Sequence, residues 1–231
     1  MSNVVEAQGL EKVYRRGPEE VHALRGASFA LAPGEIVALV GPSGSGKTTL
    51  LNVIVGWESP DGGEIVWSDG AGRQGLDLPW AEVAILPQSH GLVEELSVRE
   101  NVELPARLSG RLDGEASART DELLDELGLS ALADRAPAEC SIGEQQRTAL
   151  ARALVQSPRL LLADEPTGHQ DSVWAREVFR ILVRAAKQGT ACLVATHNQE
   201  AVQWVDRVLT IRDGDVHAVE PERTGEDQTP G

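Results

Sequence analysis

One segment restricts what this chain can fold into more than any other. The apolar run Ile36–Val40 passes straight into Gly41-Pro42-Ser43-Gly44-Ser45-Gly46-Lys47-Thr48, which matches the pattern G-x-x-x-x-G-K-[ST]. The context is a strand before the loop and a helix after it, over about Lys47–Val55. Glycines let the backbone turn so that successive N–H groups face inward at phosphate oxygens, and the helix start adds positive potential. Lys47, one of three lysines in the chain, is expected to reach the β- and γ-phosphates, and the Thr48 hydroxyl to ligate Mg²⁺. A plain glycine turn is the bland alternative; it gives no reason for Lys47 and Thr48 at these positions.

The second anchor is Leu160-Leu161-Leu162-Ala163-Asp164-Glu165. A parallel strand delivers an acidic pair at its carboxyl end, where α/β folds place ligands. Asp164 is expected in the Mg²⁺ shell and Glu165 beside the attacking water. Strand ends often carry solvated acids, so this pair gains its meaning from the phosphate loop.

Around these anchors the chain reads as an α/β fold. Strands are expected at Val4–Val13, Ser28–Leu31, Ile36–Val40, Leu160–Asp164, Ala191–Ala195 and Val208–Ile211. A helical pattern fills Ser97–Leu129 and Glu144–Gln156, and helices are expected near Val173–Lys187 and Gln199–Val205. Apolar strands alternating with helices indicate a mostly parallel sheet covered on both faces. The expectation is one domain over 1–219, with a helical subdomain at about 91–157 inserted in the core and a disordered tail at 220–231.

Charge narrows the partners. With 21 Lys+Arg against 36 Asp+Glu the net charge is −15, which argues against nucleic acid. The excess is local: residues 91–135 carry eleven acids and five arginines, and residues 213–231 six acids and one arginine. No apolar run approaches the roughly 20 residues a membrane-spanning helix needs, and no secretory leader is visible at the start. Cys140 and Cys192 form no metal spacing and read as inert, and His22, His90, His169 and His217 form no ligand cluster. A reduced, cytosolic compartment is the simplest reading. The five tryptophans share no spacing and read as packing or interface residues.

Between the anchors, Cys140-Ser141-Ile142-Gly143-Glu144-Gln145-Gln146-Arg147 opens a helix ending Ala151-Arg152-Ala153-Leu154. Here the sequence resembles the ATP-binding cassette family, whose signature is Leu-Ser-Gly-Gly-Gln before such a helix. Tyr14, 27 residues before Gly41, stands where that family stacks an aromatic on adenine. Gln88 stands at the family's Q-loop glutamine, Pro166–Asp171 at its D-loop, and His197 at its switch histidine. The stretches Pro42–Asn52 and Glu100–Pro105 are similar to the branch of macrolide exporters, lipoprotein-release systems and FtsE-type ATPases.

The resemblance implies a phosphate-loop ATPase core with an N-terminal antiparallel β subdomain and an inserted α-helical subdomain. It implies ATP and Mg²⁺, held by Tyr14, Gly41, Pro42, Ser43, Gly44, Ser45, Gly46, Lys47, Thr48, Thr49 and Asp164. Gln88 would touch the Mg²⁺ and the water, Glu165 would direct hydrolysis, and His197 would bond the γ-phosphate and Glu165. Ser141, Ile142, Gly143 and Glu144 would bind the ATP of a second copy in a head-to-tail homodimer. Asp171 reads jointly as a helix cap and an inter-subunit residue. The partner would be a transmembrane permease, and the place the cytoplasmic face of the inner membrane.

One residue departs from the pattern: Ile142 replaces the signature's first glycine. At φ > 0 it would carry strain of about 1–3 kcal/mol, and at negative φ little. The alternative function is therefore a regulatory ATP-binding module with weak hydrolysis. A nucleic-acid-directed cassette is set aside for want of long insertions or a second cassette.

Overall fold

The computed structural model describes residues 2–67, 82–168, 172–197 and 199–219. The chain opens with β1 (Val5–Arg16) and β2 (Glu19–Leu31), then β3 (Ile36–Val40), α1 (Lys47–Ile54), β4 (Gly62–Trp67) and β5 (Val83–Leu86). Three helices follow: α2 (Val98–Leu108), α3 (Gly114–Glu126) and α4 (Ile142–Leu154). The chain then alternates through β6 (Leu160–Asp164), α5 (Ser172–Lys187), β7 (Ala191–Thr196), β8 (Arg207–Arg212) and β9 (Asp215–Val219).

Two sheets result. An antiparallel sheet has the order β2-β1-β4, and a six-stranded sheet has the order β5-β6-β7-β3-β8-β9. The latter is parallel from β5 through β8, with β9 antiparallel on its edge. This is the α/β architecture with an antiparallel β portion that the sequence led us to expect.

Burial on both faces explains the unbroken apolar runs of the central strands. In β6, Leu160 and Leu162 join the core shared with α1 and the antiparallel sheet, while Leu161 and Ala163 join the core under α2, α4 and α5. Successive strand side chains point to opposite faces, so a strand covered twice has no polar position to spare.

The helices between β5 and β6 begin with explicit caps. Ser97 accepts from the Glu100 amide while the Glu100 carboxylate accepts from the Ser97 amide, and Asp113 caps the amides of Glu115 and Ala116. Fully buried Asn101 donates to the carbonyls of Val93, Leu96 and Ser97 and accepts from the Val93 amide. It thereby pins the loop that leads from Gln88 into α2.

Several elements differ from the expectation. β2 begins at Glu19 rather than Ser28, because its outer half is exposed and shows no apolar alternation. β4, β5 and β9 were not expected from sequence; β4 buries only Ile65 and Trp67, and β5 has four residues. The expected helix at Gln199–Val205 is a 3₁₀ segment, Gln199–Trp204. The helical run divides into α2 and α3 at Gly110, whose φ of 68° ends the first helix. Trp67 is buried, Trp204 stacks on Phe179, and Trp80 and the expected tail at 220–231 lie outside the described residues. Cys140 and Cys192 are free and buried, and burial pushes the Cys192 thiol up to about 12, in keeping with inert thiols.

Leu162 is fully buried between β5 and β7. Leu162→Ala is expected to lower unfolding free energy by about 2–5 kcal/mol, read by urea denaturation, with an unchanged slope against urea.

Candidate nucleotide site

The loop after β3 is built as the sequence requires. Gly44 and Gly46 have φ of 80° and 108°, and a β-carbon on Gly46 would lie 2.3 Å from the Ala23 carbonyl oxygen. Gly46 is the N-cap of α1 and supplies no side-chain cap, and the first turn of α1 contains no acid. The first amides of α1 are thus left to an anion, which the helix dipole also favours. Lys47 Nζ lies within the loop, donating to the carbonyls of Gly41 at 2.8 Å and Pro42 at 3.1 Å. Ser45 Oγ is buried without a hydrogen-bond partner among the described residues. Uncapped amides, a lysine and an orphaned hydroxyl are the donor set a polyphosphate needs.

Across from the loop stands the end of β6. Thr48 Oγ1 donates to Asp164 Oδ2 at 2.7 Å. Asp164 is 5% exposed, and its carboxyl is pushed above the usual range by burial first and by the neighbouring Glu165 charge; the Thr48 hydroxyl bond and Lys47 oppose this. A divalent cation would relieve that tension. One hydroxyl and one carboxylate, with exposed Gln88 lining the same cleft, are the hard oxygen ligands Mg²⁺ prefers.

Glu165 is held from several sides. Its carboxylate accepts from Thr196 Oγ1 at 3.2 Å and meets His197 Nδ1 at 2.8 Å. A carboxylate only accepts, so the imidazole proton sits on Nδ1 and leaves Nε2 on the side away from Glu165. Glu165 itself has φ of 52°, the left-handed region. Its amide donates to the Ala195 carbonyl, and its carbonyl accepts from the Gly168 amide and from Gln146 Nε2.

A cleft of about 670 Å³ joins these groups, bordered by Tyr14, Lys47, Thr48, Asp164, Glu165 and His197. Ser43, Gly44, Gly46, Thr49 and Gln88 line it too, and Gly41, Pro42 and Ser45 complete the loop around Lys47. The Tyr14 hydroxyl donates to Glu58, and Lys12 Nζ lies 5.6 Å from the ring centroid. That bond holds the ring on the wall of the cleft. Asp171 lies outside the described residues.

The signature stands elsewhere: Ser141, Ile142, Gly143 and Glu144 do not line this cleft. Ser141 caps α4, and the Glu144 carboxylate accepts from the Ser141 amide at 2.7 Å and its hydroxyl at 2.9 Å. Those bonds hold the Glu144 carboxyl below its usual range. Ile142 is the first residue of α4, has no positive φ, and is 57% exposed. The backbone strain that sequence left open is therefore absent, because Ile142 lies inside the helix and not in the left-handed region.

Three contacts escaped the sequence reading. Thr196 carries no motif of its own, and only the strand register brings it to Glu165. Gln146 carried no signal at all, since its target is 19 residues on and in another element. Arg152 donates to the carbonyls of His90 and Gly91, tying α4 to the loop after Gln88.

A model of the ABC transporter family matches residues 24–168. The chain belongs to that family. Among its relatives are the lipoprotein-releasing system ATP-binding proteins LolD 2 of Caulobacter vibrioides and LolD of Maricaulis maris. The first is 42% identical, covering 91% of this chain and 95% of the relative. The second is 44% identical, covering 91% and 95%. Among solved structures, the dimeric post-hydrolysis state of the ATP-binding cassette MJ0796 bound to ADP and Pi superposes with a TM-score of 0.85. It is 31% identical and covers 94% of this chain and 98% of its own. A further dimeric structure of MJ0796 has a TM-score of 0.83 at the same identity, covering 92% and 96%. In this cassette the ordered motifs fall on one framework, with the phosphate loop and acidic pair facing one cleft.

Because Ile142 is exposed and unstrained, Ile142→Gly is expected to destabilise the cassette by only about 0.5–1 kcal/mol, through the backbone freedom glycine adds. Thermal unfolding of the two proteins side by side checks it; a stabilised variant would show hidden strain.

Proposed function

We propose that this cassette hydrolyses ATP within a head-to-tail homodimer and drives a membrane-embedded partner, in the manner of a lipoprotein-release ATPase. The observation that carries the proposal is the Glu165 carboxylate, fixed by Thr196 and His197 beside the Thr48–Asp164 pair. The loop amides and Lys47 bind the β- and γ-phosphates, and Tyr14 offers its ring to the adenine. Bound Mg²⁺, held by Thr48, Asp164 and Gln88, supplies charge neutralisation on the phosphate oxygens. Glu165 takes the proton of the attacking water as general base, and His197 keeps that carboxylate aimed through its Nδ1–H.

The dimer follows from what the cleft lacks on its own. Ser141–Glu144 lie outside it, so in this reading they close over the nucleotide of a second copy. The dimeric cassettes among the structural neighbours support that arrangement.

For the membrane partner we look to a groove of about 490 Å³ lined by Leu51, Asn52, Trp57, Ile85, Pro87 and Gln88. Trp57 is 50% exposed there, a large apolar surface to leave in water. No helix among the described residues is long and apolar enough to cross a membrane. The reading places the cassette at the cytoplasmic face of the inner membrane, with the acidic stretch 91–135 turned toward basic residues of the permease.

Two outcomes test this. Glu165→Gln is expected to cut steady-state ATP turnover by about 100-fold or more while an ATP-dependent dimer accumulates in size-exclusion chromatography; wild-type turnover in that variant overturns the role of Glu165. The complex with the permease is expected to weaken several-fold, on the order of threefold or more, as salt rises from dilute buffer to about 0.5 M. A salt-insensitive complex measured by co-purification removes the charge argument.

A further inference from the structure

Glu165 holds a backbone conformation that non-glycine residues avoid. A β-carbon in the left-handed region costs roughly 1–2 kcal/mol, so such a residue persists only where its surroundings fix it. β6 ends at Asp164, and the sheet holds the backbone of Glu165 through its amide bond to Ala195. The carbonyl side is fixed differently. It accepts from the Gly168 amide at 3.1 Å and from Gln146 Nε2 at 2.8 Å.

Gln146 belongs to α4, the helix that Ser141 and Ile142 begin, and is 5% exposed. Its support is rigid. The next residue, Arg147, donates to the Leu127 carbonyl and lays its guanidinium 3.8 Å from the ring centroid of Trp174 on α5. Arg152, near the end of the helix, is bonded to the carbonyls of His90 and Gly91. A side-chain amide delivered from such a support sets the orientation of the peptide after Glu165. Rotation of that peptide by about 20° would swing a carboxylate some 4 Å from Cα by roughly 1 Å, the scale at which positioning errors cost about 100-fold in rate.

We propose that Gln146 is a positioning residue for Glu165, holding the strained backbone from α4 so that the carboxylate meets the water in line with the γ-phosphate. The proposal rests on the reading of Glu165 as general base, and it makes turnover depend on the seat of the signature helix within the same chain.

The test uses the full chain with Q146M, which keeps the volume and loses the donor, and Q146N, whose donor is one methylene too short. Turnover is counted per folded, nucleotide-binding chain, so partial unfolding cannot imitate the effect. In both variants kcat is expected to fall about tenfold or more, with KM for Mg·ATP within about twofold of wild type. Amide hydrogen exchange at Glu165 and Gly168 is expected to speed up in both. Wild-type kcat with wild-type protection in either variant overturns the proposal, as does a raised KM at unchanged kcat. The exchange measurement stands apart from hydrolysis. A wild-type chain that binds ATP without turning it over would overturn the general-base reading, while faster exchange in the variants would still support the positioning role and unchanged exchange would overturn it.

Discussion

A 2.7 Å hydrogen bond from Thr48 to Asp164 joins the two halves of the site, and most of the fold can be read as the means of bringing those residues together. Thr48 opens α1 directly after β3; Asp164 ends β6, two strands away across β7. The parallel register decides the meeting. Val40 pairs with Thr196, and Asp164 pairs with Ala195, so the phosphate loop, Thr196 and the acidic pair emerge at one level of one sheet edge. A slip of one residue would turn every side chain of β6 to the opposite face and carry Asp164 away from Thr48. Leu160 and Leu162 fill one core and Leu161 and Ala163 the other, so that slip would also exchange side chains of different volume between the two cores. Packing far from the nucleotide therefore fixes the geometry of the chemistry.

The same junction explains why so much charge can sit in so little water. Asp164 is buried enough for its carboxyl to rise, and Glu165 beside it adds repulsion. Lys47 and the Thr48 hydroxyl offset part of this within the chain. A bound cation would offset more, so affinity for the metal and the burial of its ligand are two sides of one arrangement. Glu165 lies on the cleft wall, where Thr196 and His197 reach its oxygens.

What could be read from sequence divides along a physical line. The phosphate loop and the acidic strand end were legible because their chemistry is local: consecutive residues, in one strand-to-loop junction, make the site. β3, β6 and β7 were legible because double burial leaves unbroken apolar runs, and β8 because Val208, Leu209 and Ile211 are apolar and buried. The outer half of β2, the glycine-led β4 and the edge strand β9 have partners on one side or expose a face, so their sequences need no such pattern. The 3₁₀ segment at Gln199–Trp204 carries apolar residues at helical spacing, yet spacing cannot tell a tight turn from an α-helix over six residues. Ile142 was ambiguous for a similar reason. Its meaning depended on whether α4 starts before or after it, and the Ser141 cap places it inside.

The contacts that sequence could not give are those between elements. Thr196, Gln146 and Arg152 are ordinary polar residues whose partners are main-chain or side-chain atoms 19 to 62 positions away. They share a property that motif reading overlooks: each restrains a backbone or side chain that would otherwise have a choice. Glu165 is the sharpest case, since its left-handed φ is one of only three among non-glycine residues described, with Ser157 and Asp213. It is the one of the three whose carboxylate is held by Thr196 and His197, and a tether on its carbonyl comes from the helix that Ser141 and Ile142 begin. Ser141 and Ile142 are thus joined to Glu165, the general base we propose, through the start of α4 and one side-chain amide of the same chain.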